Sequence, residues 1–191
     1  WQQDHNGYTH QDPGFLNHIV TKKSDTVRVY LPCDTNTLIC TVDHCLKTRN
    51  YINTIVASKH PTYQWFTKEE AIDLCTKGLD IVKWCSDDNP DVVLVSSGDT
   101  PTLEVFAAVK LLKEYLNIKI RVVNVVDLMK LESNIKHPHG LTDPEYNEIF
   151  TTDKPIIFNF HGYANLIHQI TYNRENHNLH VHGYKEEGTI T

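Results

Sequence analysis

The sequence predicts an α/β protein with mostly parallel sheets flanked by helices, and three observations carry that prediction. Short apolar runs rich in β-branched residues recur along the 191 residues, Val92-Val93-Leu94-Val95 and Ile120 to Val125 among them. Amphipathic stretches with helix-start signals separate these runs. Strand, helix and strand therefore alternate from end to end, and crossovers of that length imply parallel pairing.

The elements follow in order. Trp1 to Gly14 has no apolar periodicity, and its histidines, amides and carboxylates stand among Gly7, Pro13 and Gly14. It reads as a constrained polar loop that presents donors and acceptors, although a plain surface loop has the same composition. Phe15 to Val20 reads as a short helix and Thr26 to Leu31 as a strand closed by Pro32. Asp34 is placed to cap a helix with Leu38, Val42, Cys45 and Leu46 on one face. Tyr51 to Ala57 reads as a strand buried on both faces, which completes a βαβ unit.

Ser58 to Trp65 breaks the pattern and predicts a division into residues 1–62 and 63–191. Thr67 and Glu70 form a capping box for a helix running to about Cys85. A strand over Asp91 to Ser96, a turn over Ser97 to Pro101 and a helix from Thr102 to Leu116 come next. Ile118 to Val125 is a further strand, and a loop containing His137-Pro138-His139-Gly140 follows it. Asp143 is placed to cap a short helix with Pro144 first. A strand over Pro155 to Phe160, a helix over Ala164 to Thr171 and a strand over Leu179 to Tyr184 complete the pattern.

Composition narrows the function. A net charge of −6 leaves no electrostatic footprint for nucleic acid or an anionic membrane. No apolar run reaches the length of a spanning helix, so a soluble chain is expected. The five cysteines lack Cys-x-x-Cys spacing, which points to free thiols in a reducing cytoplasm rather than a disulfide or zinc framework. Twelve histidines raise the question of a metal hydrolase, but no His-Glu-x-x-His occurs and no metal site is expected. His180 and His182 alternate with Leu179 and Val181 on one face of their strand.

Ser97-Gly98-Asp99 lies where a ligand or phosphate turn could sit, but it lacks Gly-x-Gly-x-x-Gly and a Walker lysine and reads as a tight strand-to-helix turn. No Gly-x-Ser-x-Gly elbow is present. Lys59 follows a strand at its carboxyl end, where a cation is placed either to meet a phosphate or to face solvent. The start at Trp1 rather than Met predicts a piece of a longer polypeptide. Residue chemistry alone yields no reaction.

The run Gln3-Asp4-His5-Asn6-Gly7-Tyr8-Thr9-His10-Gln11-Asp12-Pro13-Gly14 closely resembles the signature of the phosphoketolases. The resemblance continues through Arg28 to Pro32, Lys59-His60-Pro61, Gly98-Asp99, Arg121 to Met129, His137 to Leu141, Phe150 to Pro155, His161-Gly162-Tyr163 and Gly183 to Thr189. Thr9-His10-Gln11 is shared with the wider transketolase group. The resemblance implies a transketolase-like architecture, with the end of a pyrimidine-binding domain over 1–62 and an incomplete C-terminal domain over 63–191.

It also implies thiamine diphosphate and Mg2+ as cofactors, with the diphosphate and metal ligands outside this chain. Xylulose 5-phosphate or fructose 6-phosphate and inorganic phosphate would be the substrates, and upstream thiamine-binding domains and a second subunit the partners. By the family's pattern His10 and His5 face the reacting carbons, Gln3 and Asn6 are hydrogen-bonding partners, and Lys59 with His5 holds the substrate phosphate. Proton transfer near neutral pH suits histidine. The chain alone is expected to be inactive. A transketolase-like two-carbon transferase and a non-catalytic α/β binding module remain the competing readings.

Overall fold

The computed structural model describes residues 12–185. The N-terminal part forms helix α1 (Gly14–Val20), strand β1 (Val27–Tyr30), helix α2 (Thr35–Lys47) and strand β2 (Ile52–Ile55). β1 and β2 pair in parallel, with Val27 opposite Ile52, as a two-stranded sheet. Asp34 caps α2 by accepting from the Thr37 amide at 2.9 Å.

The remainder contains α3 (Lys68–Lys77), β3 (Leu79–Ile81), β4 (Val92–Ser97), α4 (Asp99–Leu116) and β5 (Ile120–Val125). After β5 come a 3-10 turn (Leu128–Leu131), α5 (Asp143–Phe150), β6 (Ile156–Tyr163), α6 (Ala164–Thr171) and β7 (Leu179–Tyr184). The five strands lie in the order β3-β5-β4-β6-β7, parallel except for β3, which runs antiparallel to β5.

Alternate residues of β4 and β5 feed two cores, as the period of a strand buried on both faces requires. Leu94, Ile120 and Val122 pack with Ala71, Leu74, Val105, Phe106 and Val109 from α3 and α4. Val93, Val95, Val123 and Val125 pack on the other face with Tyr146, Phe150, Leu166 and Ile167. Leu16, Val27, Val29 and Leu31 join this second core, so α1 and β1 sit against the larger sheet. The Leu31 amide donates to the Val126 carbonyl at 2.8 Å, linking the chain just after β1 to the chain just after β5.

Several local expectations are corrected. The helix expected to run to Cys85 stops at Lys77, because Gly78 takes φ +81 and closes the helix as a left-handed C-cap. Leu79 and Ile81 then form an antiparallel edge strand that local periodicity did not separate from the helix. The strand over Tyr51 to Ala57 is shorter, and β2 is an edge strand with Ile52 exposed. The expected apolar face of α2 is not its buried face. Thr37 and Thr41 are buried towards α3, while Val42 and Leu46 are exposed. Asp143 does not cap α5: Thr142 does, in a capping box with Glu145. α4 starts at Asp99, three residues earlier than expected, with Pro101 inside its first turn.

Candidate functional site

The carboxyl ends of β1, β2 and β4 open onto one cleft of about 100 Å³, lined by Cys33, Asp34, Ser58, His60, Thr62 and Asp99 among others. Asp34 is buried and serves two elements at once. Its Oδ1 caps α2, while Oδ2 accepts from the amides of Trp65 at 3.0 Å and Phe66 at 2.9 Å and from Gln64 Nε2 at 2.5 Å. The segment 58–66, which crosses from β2 to α3, is thereby tied at its far end to the start of α2. Lys59 lies on this segment, exposed, between the two cleft residues Ser58 and His60.

The turn after β4 rests on a buried polar scaffold. Asn124 Nδ2 donates to Ser96 Oγ and to Thr102 Oγ1, each at 3.0 Å, and Thr102 Oγ1 donates to the Gly98 carbonyl at 2.7 Å. Ser97 Oγ donates to the Val125 carbonyl at 2.9 Å. These bonds pair the Asn124 amide nitrogen and the three hydroxyls, which would otherwise be costly to bury, and they fix where Asp99 emerges. Gly98 adopts φ +101, and a Cβ there would stand 2.9 Å from the His161 Cβ. Only glycine permits so close an approach of this turn to the end of β6.

Asp99 and His161 consequently stand side by side, Oδ1 and Nδ1 3.6 Å apart, both mostly shielded from solvent. Burial holds the His161 imidazole below its ordinary pKa, and the Asp99 carboxylate offsets part of that effect. His161 Nδ1 is buried and has no hydrogen-bond partner among the described residues.

His137 and His139 are committed to structure. His137 Nε2 donates to the Val27 carbonyl at 3.1 Å, and its Nδ1 accepts from the His139 amide at 3.0 Å. Arg28 Nε donates to His139 Nε2 at 3.0 Å, which places the His139 proton on Nδ1, donated to Asp127 Oδ2 at 2.5 Å. With Nε2 of His137 protonated, its 3.3 Å approach to Arg28 Nη1 brings two donors together and is a packing contact. This chain of bonds pins β1 to the loop after the 3-10 turn. No group of three or more His, Cys, Asp or Glu able to hold a metal ion occurs among the described residues.

Of the residues singled out from sequence, Gln3, His5, Asn6 and His10 lie outside the described residues. Lys59 is exposed and is flanked in the chain by the cleft residues Ser58 and His60. The Ser96, Thr102 and Asn124 scaffold and the Asp99–His161 pair were missed. The local signal for Asp99 was present in Ser97-Gly98-Asp99, but its partner is 62 positions away in sequence and nothing local joins them.

Comparison with known proteins decides the family. The model described as "XFP C-terminal domain" matches residues 59–191. The model described as "D-xylulose 5-phosphate/D-fructose 6-phosphate phosphoketolase" matches residues 1–48. This chain belongs to the phosphoketolase family. Among phosphoketolase relatives, probable phosphoketolase 1 of Rhizobium meliloti is 59% identical over 196 residues, covering 100% of this chain and 25% of that protein. The probable phosphoketolase of Clostridium acetobutylicum is 60% identical over 195 residues, covering 100% of this chain and 24% of that protein. The chain spans about a quarter of the length of the curated phosphoketolases it matches.

Among solved structures, a mutant transketolase from Pichia stipitis shares the fold with a TM-score of 0.67 at 19% identity, over 94% of this chain and 23% of that one. Transketolase from Campylobacter jejuni does so with a TM-score of 0.59 at 13% identity, over 94% of this chain and 24% of that one. These likenesses establish a transketolase-like α/β architecture for this phosphoketolase-family chain. Among the described residues, no helix is long and apolar enough to cross a membrane.

Proposed function

We propose that the protein containing this chain is a phosphoketolase that cleaves xylulose 5-phosphate or fructose 6-phosphate with inorganic phosphate. The products are acetyl phosphate, water, and glyceraldehyde 3-phosphate or erythrose 4-phosphate. The observation that carries this reading is 59–60% identity to phosphoketolases across the whole chain. Residues 1–62 are the end of a pyrimidine-binding domain and 63–191 an incomplete C-terminal domain, a division supported by the two separate sheets. The five free thiols fit a reducing cytoplasm.

Thiamine diphosphate, which family membership implies, supplies a nucleophilic carbon and an electron sink when bound. The Mg2+ and diphosphate ligands are assigned to parts of the parent outside this chain, as the family's pattern implies. On this reading Lys59, exposed at the carboxyl edge, meets the dianionic phosphate of the sugar. His5 and His10 move protons at the reacting hydroxyls, with Gln3 and Asn6 orienting the substrate. A homodimer completes the site with domains upstream of this chain.

The test is made on the full-length parent with ketose phosphate, thiamine diphosphate and Mg2+. Acetyl phosphate is trapped as its hydroxamate with and without inorganic phosphate. Phosphate-dependent acetyl phosphate that falls at least about 100-fold in His10→Ala is the expected result. Two-carbon transfer to an added aldose, without acetyl phosphate, would replace this reading by the transketolase one. Neither product from a folded parent would leave a non-catalytic module.

A further inference from the structure

The larger sheet contains a topological switch point. The chain leaves β4 through α4 towards β5 on one side, whereas it leaves β6 through α6 towards β7 on the other. Loops that depart in opposite directions open a crevice between the two strand ends, the usual ligand position in open parallel sheets. Ser97 of β4 is in register with Phe160 of β6, so Asp99 and His161 are brought to the two lips of that crevice. Asp99 also lines the cleft shared with Ser58, His60 and Thr62. Asp99 therefore stands both at the switch point and on the cleft whose lining residues Ser58 and His60 flank Lys59 in the chain.

The chemistry of the pair selects its ligand. At 3.6 Å, Asp99 Oδ1 and His161 Nδ1 are too far apart for a good direct hydrogen bond, and the buried Nδ1 has no other partner among the described residues. A single oxygen about 2.8 Å from each satisfies both. A hydroxyl does this, accepting from Nδ1–H and donating to the carboxylate. Phosphate, an acceptor only, is repelled by Asp99, and an apolar group leaves both atoms unpaired. Asp99 also faces the neighbouring cleft, whose volume of about 100 Å³ takes part of a sugar phosphate.

We propose that Asp99 and His161 read a hydroxyl of the polyhydroxylated phosphate ester whose phosphate Lys59 meets, so that the C-terminal part of the chain helps determine which ketose phosphate is taken. This rests on the sugar-phosphate reading of the site given above. The roles divide by charge: the cation at the rim meets the anionic end of the ligand, and the carboxylate–imidazole pair meets a neutral carbinol. Xylulose 5-phosphate and fructose 6-phosphate differ by one hydroxylated carbon, so a fixed hydroxyl reader discriminates between them by reach.

The experiment uses the full-length parent with thiamine diphosphate and Mg2+, and the variants Asp99→Asn and His161→Gln. Acetyl phosphate formation is followed against fructose 6-phosphate and against xylulose 5-phosphate. Loss of one hydrogen bond to a charged group should raise KM by about tenfold. Because the two ketoses reach the pair differently, the ratio of their kcat/KM values should change by about threefold or more. KM values and preference within about twofold of the parent in both variants overturn the inference while leaving the phosphoketolase reading intact. A crystal structure of the unsubstituted parent with fructose 6-phosphate provides a readout independent of variant folding. A ligand hydroxyl between Asp99 and His161 supports the inference, even if the parent proves to make no acetyl phosphate. A water molecule there, with the sugar bound elsewhere, overturns it.

Discussion

His137 shows how a residue type that invites a catalytic reading is used structurally. Its ring is buried, both nitrogens are bonded, and burial together with the nearby Arg28 guanidinium disfavours the imidazolium. The consequence for stability has a definite sign. The unfolded chain takes up a proton near pH 6.5, where the folded ring does not. The contribution of His137 is therefore fully present above about pH 6.5 and is lost as the pH falls through its lowered folded value. Urea unfolding followed from about pH 8 to pH 5 should show a falling midpoint, with a shallower slope in His137→Gln. Equal slopes in both proteins would remove His137 as the cause. The sequence marked His137 and His139 as a close pair, but their commitment to Val27, Arg28 and Asp127 depends on contacts between distant segments.

At the scale of elements, boundaries were legible wherever the signal was local. The capping box at Thr67 and Glu70 lies within four residues, and α3 begins there. The Asp34 cap was equally legible, but its second role was not, since Trp65 and Phe66 are 31 and 32 positions away. Replacing Asp34 with alanine removes the cap of α2 and leaves the amides that hold the crossing segment without their acceptor. A loss of about 2–4 kcal/mol is expected in chemical denaturation, more than a cap alone contributes. A loss under about 0.5 kcal/mol would show that the segment is held by its other contacts. Gly78 explains the clearest miss. A Lys-Gly helix stop was present in the sequence, yet the following apolar residues continue a helical spacing, and only pairing with β5 makes them a strand.

At the scale of the whole molecule, the N-terminal part is the less enclosed. Among the described residues β2 has β1 as its one neighbour, and Ile39, Leu46 and Ile52 are exposed. A two-stranded parallel sheet does not ordinarily stand alone, since parallel sheets are covered on both faces. We read this surface as one that the rest of the parent covers, in keeping with a chain spanning about a quarter of its relatives' length. The 191-residue chain by itself should therefore form no acetyl phosphate under conditions in which the parent does. Measurable phosphate-dependent acetyl phosphate from the isolated chain would contradict this.

By itself the sequence determined the α/β class, the parallel crossovers, most helix starts and, through its resemblance, the family. Those features are written in periodicity, capping residues and contiguous motifs, all of which act over a few residues. Tertiary structure alone decided the strand order β3-β5-β4-β6-β7 and, with it, the switch point where Asp99 meets His161. Hydrophobic burial is nearly indifferent to the order of the inner strands β4 and β5, because both are apolar on both faces. Strand order is settled by the packing of the assembled chain, and so is the chemistry at the strand ends.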